Sequence, residues 1–507
     1  MEENKSDKKS ESKYLTLKNP YIITLICILA LALIIRVYFV YHTPGQTLWW
    51  DEAEYMSTAN HWAFGVPYDL NPQRPPLFQF LAAVLLMAGA GEIAIRLLLV
   101  VVPSVLLVYS LYLLGKEMYS KETGLIAAFL GVASWTFLFW TNRVQPDFFS
   151  MAFSVLAIYF MWKHWKQPSV KNVLLSGFFA ALGFYFKVSA LLVPMIFIVF
   201  LLVKDRLAAF KDKHYYYFSA AFITTLIPYF IWSYITFGTP FAFRAGYSNA
   251  IGTSIPFGWY NIGYYYALTE GLTFVLFIIG LIIGLKFIFY LDVLAKDKKR
   301  CFNPDLFGII AFIVTSAFYI FYIRYTDDRW VFIWIPFIFF FVGQALEKIY
   351  KWISKKNVLA AFAIVLLLLA FCAYSQVSQA SSLIDMKKDS YAPVKDAALW
   401  IKANSNRTDS VFSVSLTQTT YYTEDNVSTY SLVPQLANAT EFDKMVLADK
   451  PRYITWSIFE QHPNWTVDWM TGHIAKKDVN IVYGVAADAS QTQPALLIFA
   501  PDYKRFS

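Results

Sequence analysis

Trp49-Trp50-Asp51-Glu52-Ala53-Glu54-Tyr55, followed at a distance by Arg74-Pro75-Pro76-Leu77, is the stretch on which the chain turns. It places acids and a base between two long apolar runs. Charge beside a bilayer is costly and is usually kept for function. The stretch therefore reads as an active site at a membrane surface, with Asp51 as its base. The plainer alternative is an ordinary helix N-terminus, where acids meet the positive end of the dipole. Asp51 and Glu52 are adjacent, so on a helix they point about 100° apart and do not share one proton. One of them can face a reacting hydroxyl while the other caps a helix. Trp49 and Trp50 suit the headgroup level of a bilayer. Pro75 and Pro76 suit a first helical turn and would hold Arg74 in place. A snorkelling arginine beside a stiff turn fits the same residues.

Working outward, the 507 residues are 57% hydrophobic and only 15% charged, with mean hydropathy +0.45. Soluble domains carry about 25% charged residues, so this is a polytopic membrane protein. Net charge +8 does not point to nucleic acid. The basic residues fall in short clusters between apolar runs, as the positive-inside rule requires. Cys27 and Cys372 lie in apolar runs and Cys301 in a basic loop, so no disulfide framework or thiolate metal cluster is implied. The first twenty residues are polar and Lys-rich. The run 21–41 is long enough for a retained span and lacks a small-residue cleavage site.

Topology follows from six basic clusters: Lys5–Lys18, Lys116–Lys121, Lys163–Lys171, Lys204–Lys213, Lys296–Arg300 and Lys348–Lys356. If all are cytoplasmic, an even number of crossings separates each from the next. The 17-residue run between Arg74 and Glu92 then cannot be a span, and it reads as an interfacial helix. Eleven spans remain, at 21–41, 95–114, 124–141, 147–162, 172–187, 189–203, 215–237, 269–291, 305–323, 330–347 and 357–377. The domains are a cytoplasmic tail (1–20), a transmembrane domain (21–384) whose first outer loop is 42–94, and an extracytoplasmic α/β domain (385–507). In that last domain a helix is expected over Pro393–Ala403. Strands are expected over Val411–Leu416, Tyr453–Ile458, Asn480–Val485 and Ala495–Ala500. The segment after the last span carries four glycosylation sequons, at Asn406, Asn426, Asn438 and Asn464, which agrees with an outer tail.

The other isolated charges of the outer side include Arg96, Arg143, Asp147, Lys187, Arg324, Asp327, Asp328 and Arg329. Arginine gives bidentate phosphate contacts and lysine a point charge, so such a set suits an anionic lipid headgroup. Asp147 after Pro146 also reads as a plain helix cap. His42, His61, His462 and His473 lack metal-ligand spacing. A carboxylate-bound divalent cation is the one cofactor left open, with no motif behind it.

Together these residues resemble the GT-C-type glycosyltransferases, above all the dolichyl-phosphate-mannose protein mannosyltransferases and the bacterial lipid A aminoarabinose transferases. The matching features are Asp51-Glu52 with Tyr55 shortly after, Arg74-Pro75-Pro76-Leu77, Arg96 opening the second span, Pro146-Asp147 opening the fourth, and Lys187 after Gly183-Phe184-Tyr185-Phe186. The block Arg329–Pro336 is similar to the family's Arg-Tyr-Leu-Pro block. The resemblance covers about the first 350 residues. Arg74 stands where many members have Lys or His, and Glu54 where some have a basic residue. The Trp-Trp-Asp-Tyr-Gly motif of oligosaccharyltransferases is not found in the tail.

The resemblance implies a polyprenyl-phosphate-linked sugar as donor and a hydroxyl on a protein, glycan or lipid as acceptor, with mannosyl transfer in protein glycosylation as the nearest example. It implies Asp51 as general base, with Glu52 beside it, and inversion through an oxocarbenium-like state. Arg74, Lys187 and Arg329 would hold the leaving phosphate, with Arg96, Asp147, Trp50 and Tyr55 completing the substrate site. The sequons and the retained first span fit a plasma membrane, archaeal or bacterial, or the endoplasmic reticulum. Three competing functions are a lipid-linked sugar flippase, an oligosaccharyltransferase-like enzyme and a non-catalytic receptor subunit. A transporter more often shows mid-span charge and paired broken helices.

Overall fold

An apolar run crosses a hydrocarbon layer as a helix, because only a helix satisfies its own backbone there. The computed structural model describes residues 19–244, 258–259, 263–285, 303–324, 328–333, 335–424, 428–430, 438–460, 462–486 and 493–506. Its apolar part is built from helices. In chain order they are α1 (Pro20–His42), α2 (Trp50–Phe64), α3 (Leu77–Met87), α4 (Glu92–Met118), α5 (Lys121–Ala133), α6 (Trp135–Thr141), α7 (Asp147–Lys166) and α8 (Val170–Phe186). Then come α9 (Val188–Ala208), α10 (Lys213–Phe237), α11 (Gly263–Thr269), α12 (Gly271–Gly284), α13 (Pro304–Ile323), α14 (Ile335–Ser354) and α15 (Val358–Lys387).

Among the described residues, six helices are long and apolar enough to cross a membrane: α1, α4, α9, α10, α13 and the one starting at Val358. The pair α5 and α6, bent by 51°, makes a seventh if counted as one span. The eleven expected spans are thus not matched one for one. The other four positions hold α7, α8, α12 and α14, which are shorter or carry charge at their ends. Helix α3 has 11 residues, about 16 Å of helix, half of what a crossing needs.

The chain packs as two compact units. One holds residues 1–42, 71–78 and 92–385, and the other holds 43–70, 79–91 and 386–507. Residues 43–70 and 79–91, most of the expected first outer loop, group with residues 386–507.

In the first unit, α1 lays Leu25, Ile28 and Ala32 against Val108 and Tyr112 of α4 and Ala128 and Val132 of α5. Helices α4 and α5 approach so closely that a Cβ on Gly124 would sit 2.7 Å from the Tyr112 carbonyl oxygen. Helix α5 stops at Ala133 because Ser134 turns to φ −51, ψ 121. A helix end leaves carbonyls unpaired. Arg36 of α1, with no exposed surface, reaches them: Nη2 donates to the Gly131 carbonyl at 2.9 Å and Nε to Ser104 Oγ at 2.6 Å. A cation at a helix C-terminus is also favoured by the dipole. On the far side of the break, Gln376 Oε1 accepts the Trp135 N–H at 3.1 Å, and Gln376 Nε2 donates to the Thr269 carbonyl at 2.8 Å.

In the second unit, α16 (Ala392–Asn404), α17 (Leu416–Thr423), α18 (Ala439–Asp449) and α19 (Trp465–Lys476) surround a sheet. Its strands are β1 (Ser410–Ser413), β2 (Ser428–Tyr430), β3 (Tyr453–Ser457), β4 (Val479–Ala486) and β5 (Pro494–Pro501), in spatial order β2-β1-β3-β5-β4. β1 pairs in parallel with β2 and β3, while β5 runs antiparallel to β3 and β4. Alternation along the strands fills two cores. Phe412, Ile454 and Phe499 face Phe442 of α18 and Trp469 of α19. Val411, Tyr453 and Ile498 face Val394, Ala397 and Ile401 of α16. Four strands overlap those expected from alternation, β1 ends at Ser413 while Leu416, expected in that strand, begins α17, and β2 is the addition.

Two expectations follow. Replacing Arg36 with Leu leaves the Gly131 carbonyl buried and unpaired, at about 1–3 kcal/mol. The full-length Arg36→Leu protein should melt at lower temperature, and an unaltered melt would contradict the capping role. In the second unit, burial lifts the Glu460 carboxyl from the usual 4.5 to about 7, against a hydrogen bond to Ser415 that lowers it. The folded state then holds a proton that the unfolded state has lost between these values, so stability falls as pH rises from 4.5 to about 7. After discounting for a partly solvated group, that loss is about 1–2 kcal/mol. Melting curves at pH 5 and 8 should show Glu460→Gln losing less stability than the wild type; equal losses would contradict this.

Candidate active site

The candidate residues divide between the two units. In the second, α2 starts where the sequence supplies acids, Asp51 and Glu52, in its first turn. Glu52 has no exposed surface, and its Oε2 accepts the Trp49 N–H at 2.7 Å. It caps the helix that carries it, which is one of the two roles open to this acid pair. Asp51 is half-buried, Trp50 exposed and Tyr55 buried. One residue before Trp49, the Leu48 N–H donates to the Tyr422 hydroxyl of α17 at 2.9 Å. The entry to α2 is therefore held at two successive amides.

In the first unit, Arg74 ends a turn closed by Asn71, whose carbonyl accepts the Arg74 N–H at 3.1 Å and whose side chain accepts the Gln73 N–H at 2.9 Å. Arg96 is buried and lies 3.7 Å from Glu92 one turn earlier. It directly precedes a π-helical stretch, Leu97–Val101, inside α4. Pro103 has no N–H for the Leu99 carbonyl, and the ladder widens so that Val102 N–H bonds the Leu97 carbonyl. Such bulges gather at functional sites.

Asp147, Lys187 and Arg329 come together. Asp147 opens α7, Lys187 follows the last residue of α8, and Arg329 lies in a 3-10 turn, Asp328–Ile333. All three line one cavity of about 20 Å³ with Ser150, Ser154 and Ser189, enough for about one water. Lys187 Nζ is 2.5 Å from Asp147 Oδ1. The Arg329 guanidinium sits 4.9 Å from the centre of the Trp140 ring. Phe332, three residues on, stacks edge-on against Phe137 at 5.3 Å, which fixes the 3-10 turn to α6. Two cations and a carboxylate around a small space can hold an anion when the carboxylate yields.

Between Trp140 and Asp147 the chain makes a buried polar turn, Thr141-Asn142-Arg143-Val144-Gln145-Pro146. Asn142 and Gln145 are each 2% exposed. Both side-chain polar atoms of Asn142, Gln145 Oε1 and Asp147 Oδ2 have no hydrogen-bond partner among the described residues. Asn142 and Gln145 carry no charge, so a search for isolated charges passes over them. The signal was a polar run inside an apolar context.

Near the other end of α7, about 26 Å from Asp147 by helical rise, His164, Asp212 and His214 each bring one ligand-type atom within 4.8 Å of the others. His164 Nδ1 accepts the Ser169 N–H at 3.0 Å, and Asp212 Oδ1 accepts the His214 N–H at 2.9 Å while capping α10. Asp212 Oδ1 also lies 2.7 Å from His214 Nδ1. Asp327 and Asn426 lie outside the described residues. Asn406, Asn438 and Asn464 are exposed, and Asn438 Oδ1 caps α18 by accepting the Glu441 N–H at 3.0 Å.

Residues 73–232 match the family model of the dolichyl-phosphate-mannose-protein mannosyltransferases. No protein of curated function matches the chain by sequence. Among solved structures, ArnT from Cupriavidus metallidurans bound to undecaprenyl phosphate is similar at TM-score 0.64 and 14% identity, over 93% of this chain and 97% of that one. The archaeal oligosaccharyltransferase AglB from Archaeoglobus fulgidus, in complex with an inhibitory peptide and a dolichol-phosphate, is similar at TM-score 0.58 and 13% identity, over 85% and 69%. The arabinofuranosyltransferase AftD from Mycobacteria is similar at TM-score 0.56 and 12% identity, over 93% of this chain and 41% of that one. With its apolar helices, the chain is an integral membrane protein of the GT-C glycosyltransferase fold, similar over residues 73–232 to the dolichyl-phosphate-mannose-protein mannosyltransferases.

Proposed function

We propose that this protein transfers a sugar from a polyprenyl-phosphate donor to a hydroxyl acceptor at the outer face of its membrane, with inversion at the sugar carbon. The observation that carries the reading is the cavity where Lys187 and Arg329 meet Asp147. Cations placed where charge develops are what a leaving phosphate needs. The undecaprenyl phosphate bound to ArnT and the dolichol-phosphate bound to AglB support this class of donor.

Asp51 takes the proton of the acceptor hydroxyl as general base. The acceptor oxygen attacks the anomeric carbon, and the bond from that carbon to the phosphate oxygen breaks, its electrons leaving with the phosphate. The carbon passes through an oxocarbenium-like state. A phosphate monoester has a second pKa near ~6, so it departs without a general acid. It departs faster when Lys187 and Arg329 take up its charge, and Lys187 becomes available as the phosphate displaces the Asp147 carboxylate. Arg74 adds a third cation. Glu52 holds the start of α2, and Trp50 and Tyr55 flank the base.

The test is sugar transfer by the full-length protein from labelled dolichyl- and undecaprenyl-phosphate hexoses. Loss of a general base lowers the rate by about 10²–10⁴-fold. Asp51→Asn should show that loss while still binding donor. Undiminished transfer would remove Asp51 from the mechanism.

A further inference from the structure

Three residues that the transfer chemistry does not use meet where two inter-helix links come together. His164 stands in the last turn of α7, which leads to Ser169, the cap of α8. Asp212 caps α10 and His214 lies in its first turn. One ligand-type atom from each of the three lies within 4.8 Å of the other two. The two imidazole rings stand 4.8 Å apart between centres. His164 is only 3% exposed, while the side chains of His214 and Asp212 are 23% and 43% exposed, so the group is anchored on one side and reachable from solvent on the other. Nearby lysines have partners of their own: Lys166 pairs with Glu117 at 3.2 Å, Lys204 with Asp205 at 3.0 Å, and Lys163 lies 5.4 Å from the centre of the Tyr159 ring.

We propose that His164, Asp212 and His214 bind a divalent transition-metal ion of the zinc class, at the end of α7 away from Asp147. Two imidazoles and a carboxylate are a zinc ligand set that leaves a fourth position to water. Calcium and magnesium prefer oxygen ligands, so the two nitrogens select against them. The hydrogen bonds show which lone pairs are ready. A carboxylate only accepts, so at 2.7 Å from Asp212 Oδ1 the Nδ1 of neutral His214 carries the proton and Nε2 keeps the lone pair. A carboxylate on the far nitrogen is how metal-binding histidines are oriented. Asp212 receives both of its hydrogen bonds on Oδ1, which leaves Oδ2 for the ion. His164 Nδ1 accepts the Ser169 N–H at 3.0 Å. A neutral imidazole has one lone pair, so the ion takes it in place of that amide. Ser169 is half-buried, and water can serve its amide instead. Ligand atoms around zinc stand about 3.3 Å apart, so the group must close slightly. That adjustment falls to Asp212 and His214, which are less buried than His164. The bound ion joins the end of α7 to the start of α10.

The test uses the full-length protein in lipid nanodiscs, stripped with a chelator and titrated with Co²⁺ or Zn²⁺. Co²⁺ should bind with the visible absorption of a four-coordinate site, and Zn²⁺ should abolish that absorption by replacing it. Zn²⁺ should also raise the melting temperature, further as its free concentration rises. His214→Gln and Asp212→Asn should each bind Zn²⁺ at least ~10-fold more weakly. Both positions are partly exposed and Asn still caps a helix, so both variants should melt like the wild type when metal is absent. His164 is buried and is read without a variant: Zn²⁺ should speed hydrogen exchange at the Ser169 amide, whose acceptor it takes. Failure of the wild type to bind either ion would overturn the proposal. Equal Zn²⁺ affinity in the wild type and both variants would overturn it too, by placing the ion on other side chains. Unchanged exchange at Ser169 with Zn²⁺ bound would remove His164 and with it the three-residue site.

Discussion

Arg36 is the interaction on which the first unit depends. It is a fully buried cation in an apolar bundle, held by a serine hydroxyl and by carbonyls at the end of α5. Without it, a helix ending inside a bundle would leave those carbonyls unpaired where water cannot reach. With it, α5 can stop at Ala133 and the chain can restart as α6 at an angle of 51°. The polar turn 142–146 follows α6, and Asp147 opens α7.

The site is built at helix ends, and the reason is energetic. A charge in the middle of an apolar span would need a partner at every moment, whereas a helix terminus already brings polar backbone and a dipole. Asp147 is the first residue of α7, Lys187 the first after α8, and Arg329 sits in the short turn that leads to α14. Their neighbours are aromatic: Trp140 beneath Arg329, and Phe137 against Phe332. Rigid rings hold long cationic side chains at little entropic cost. In the second unit the same logic holds the start of the helix that carries Asp51, through Glu52 on the Trp49 amide and the Tyr422 hydroxyl on the Leu48 amide.

Much of this was legible in the sequence because it rests on period and charge. Apolar runs gave the helices, and isolated charges between them gave Asp147, Lys187 and Arg329. Alternation gave β1, β3, β4 and β5. The 17-residue run after Arg74 was too short to cross, and α3 is indeed 11 residues long. Four features did not show, each for a physical reason. Arg36 sits in an otherwise apolar run, and only the tertiary fold reveals the carbonyls that it caps. The break at Ser134 has no glycine or proline to mark it. Asn142 and Gln145 have buried side-chain polar atoms without partners among the described residues, which composition cannot express. The grouping of residues 43–70 with the tail depends on contacts such as Leu48 to Tyr422, far apart in the chain.

In the proposed function, Lys187 and Arg329 take the donor's phosphate at the cavity that they line with Asp147. The most direct measurement is the affinity of the full-length protein for polyprenyl phosphate without sugar, compared with Lys187→Met and Arg329→Met. Charge-assisted hydrogen bonds are worth about 1.5–3 kcal/mol, so each variant should bind at least ~10-fold more weakly. Unchanged affinity in both variants would contradict the account and move the phosphate elsewhere in the molecule.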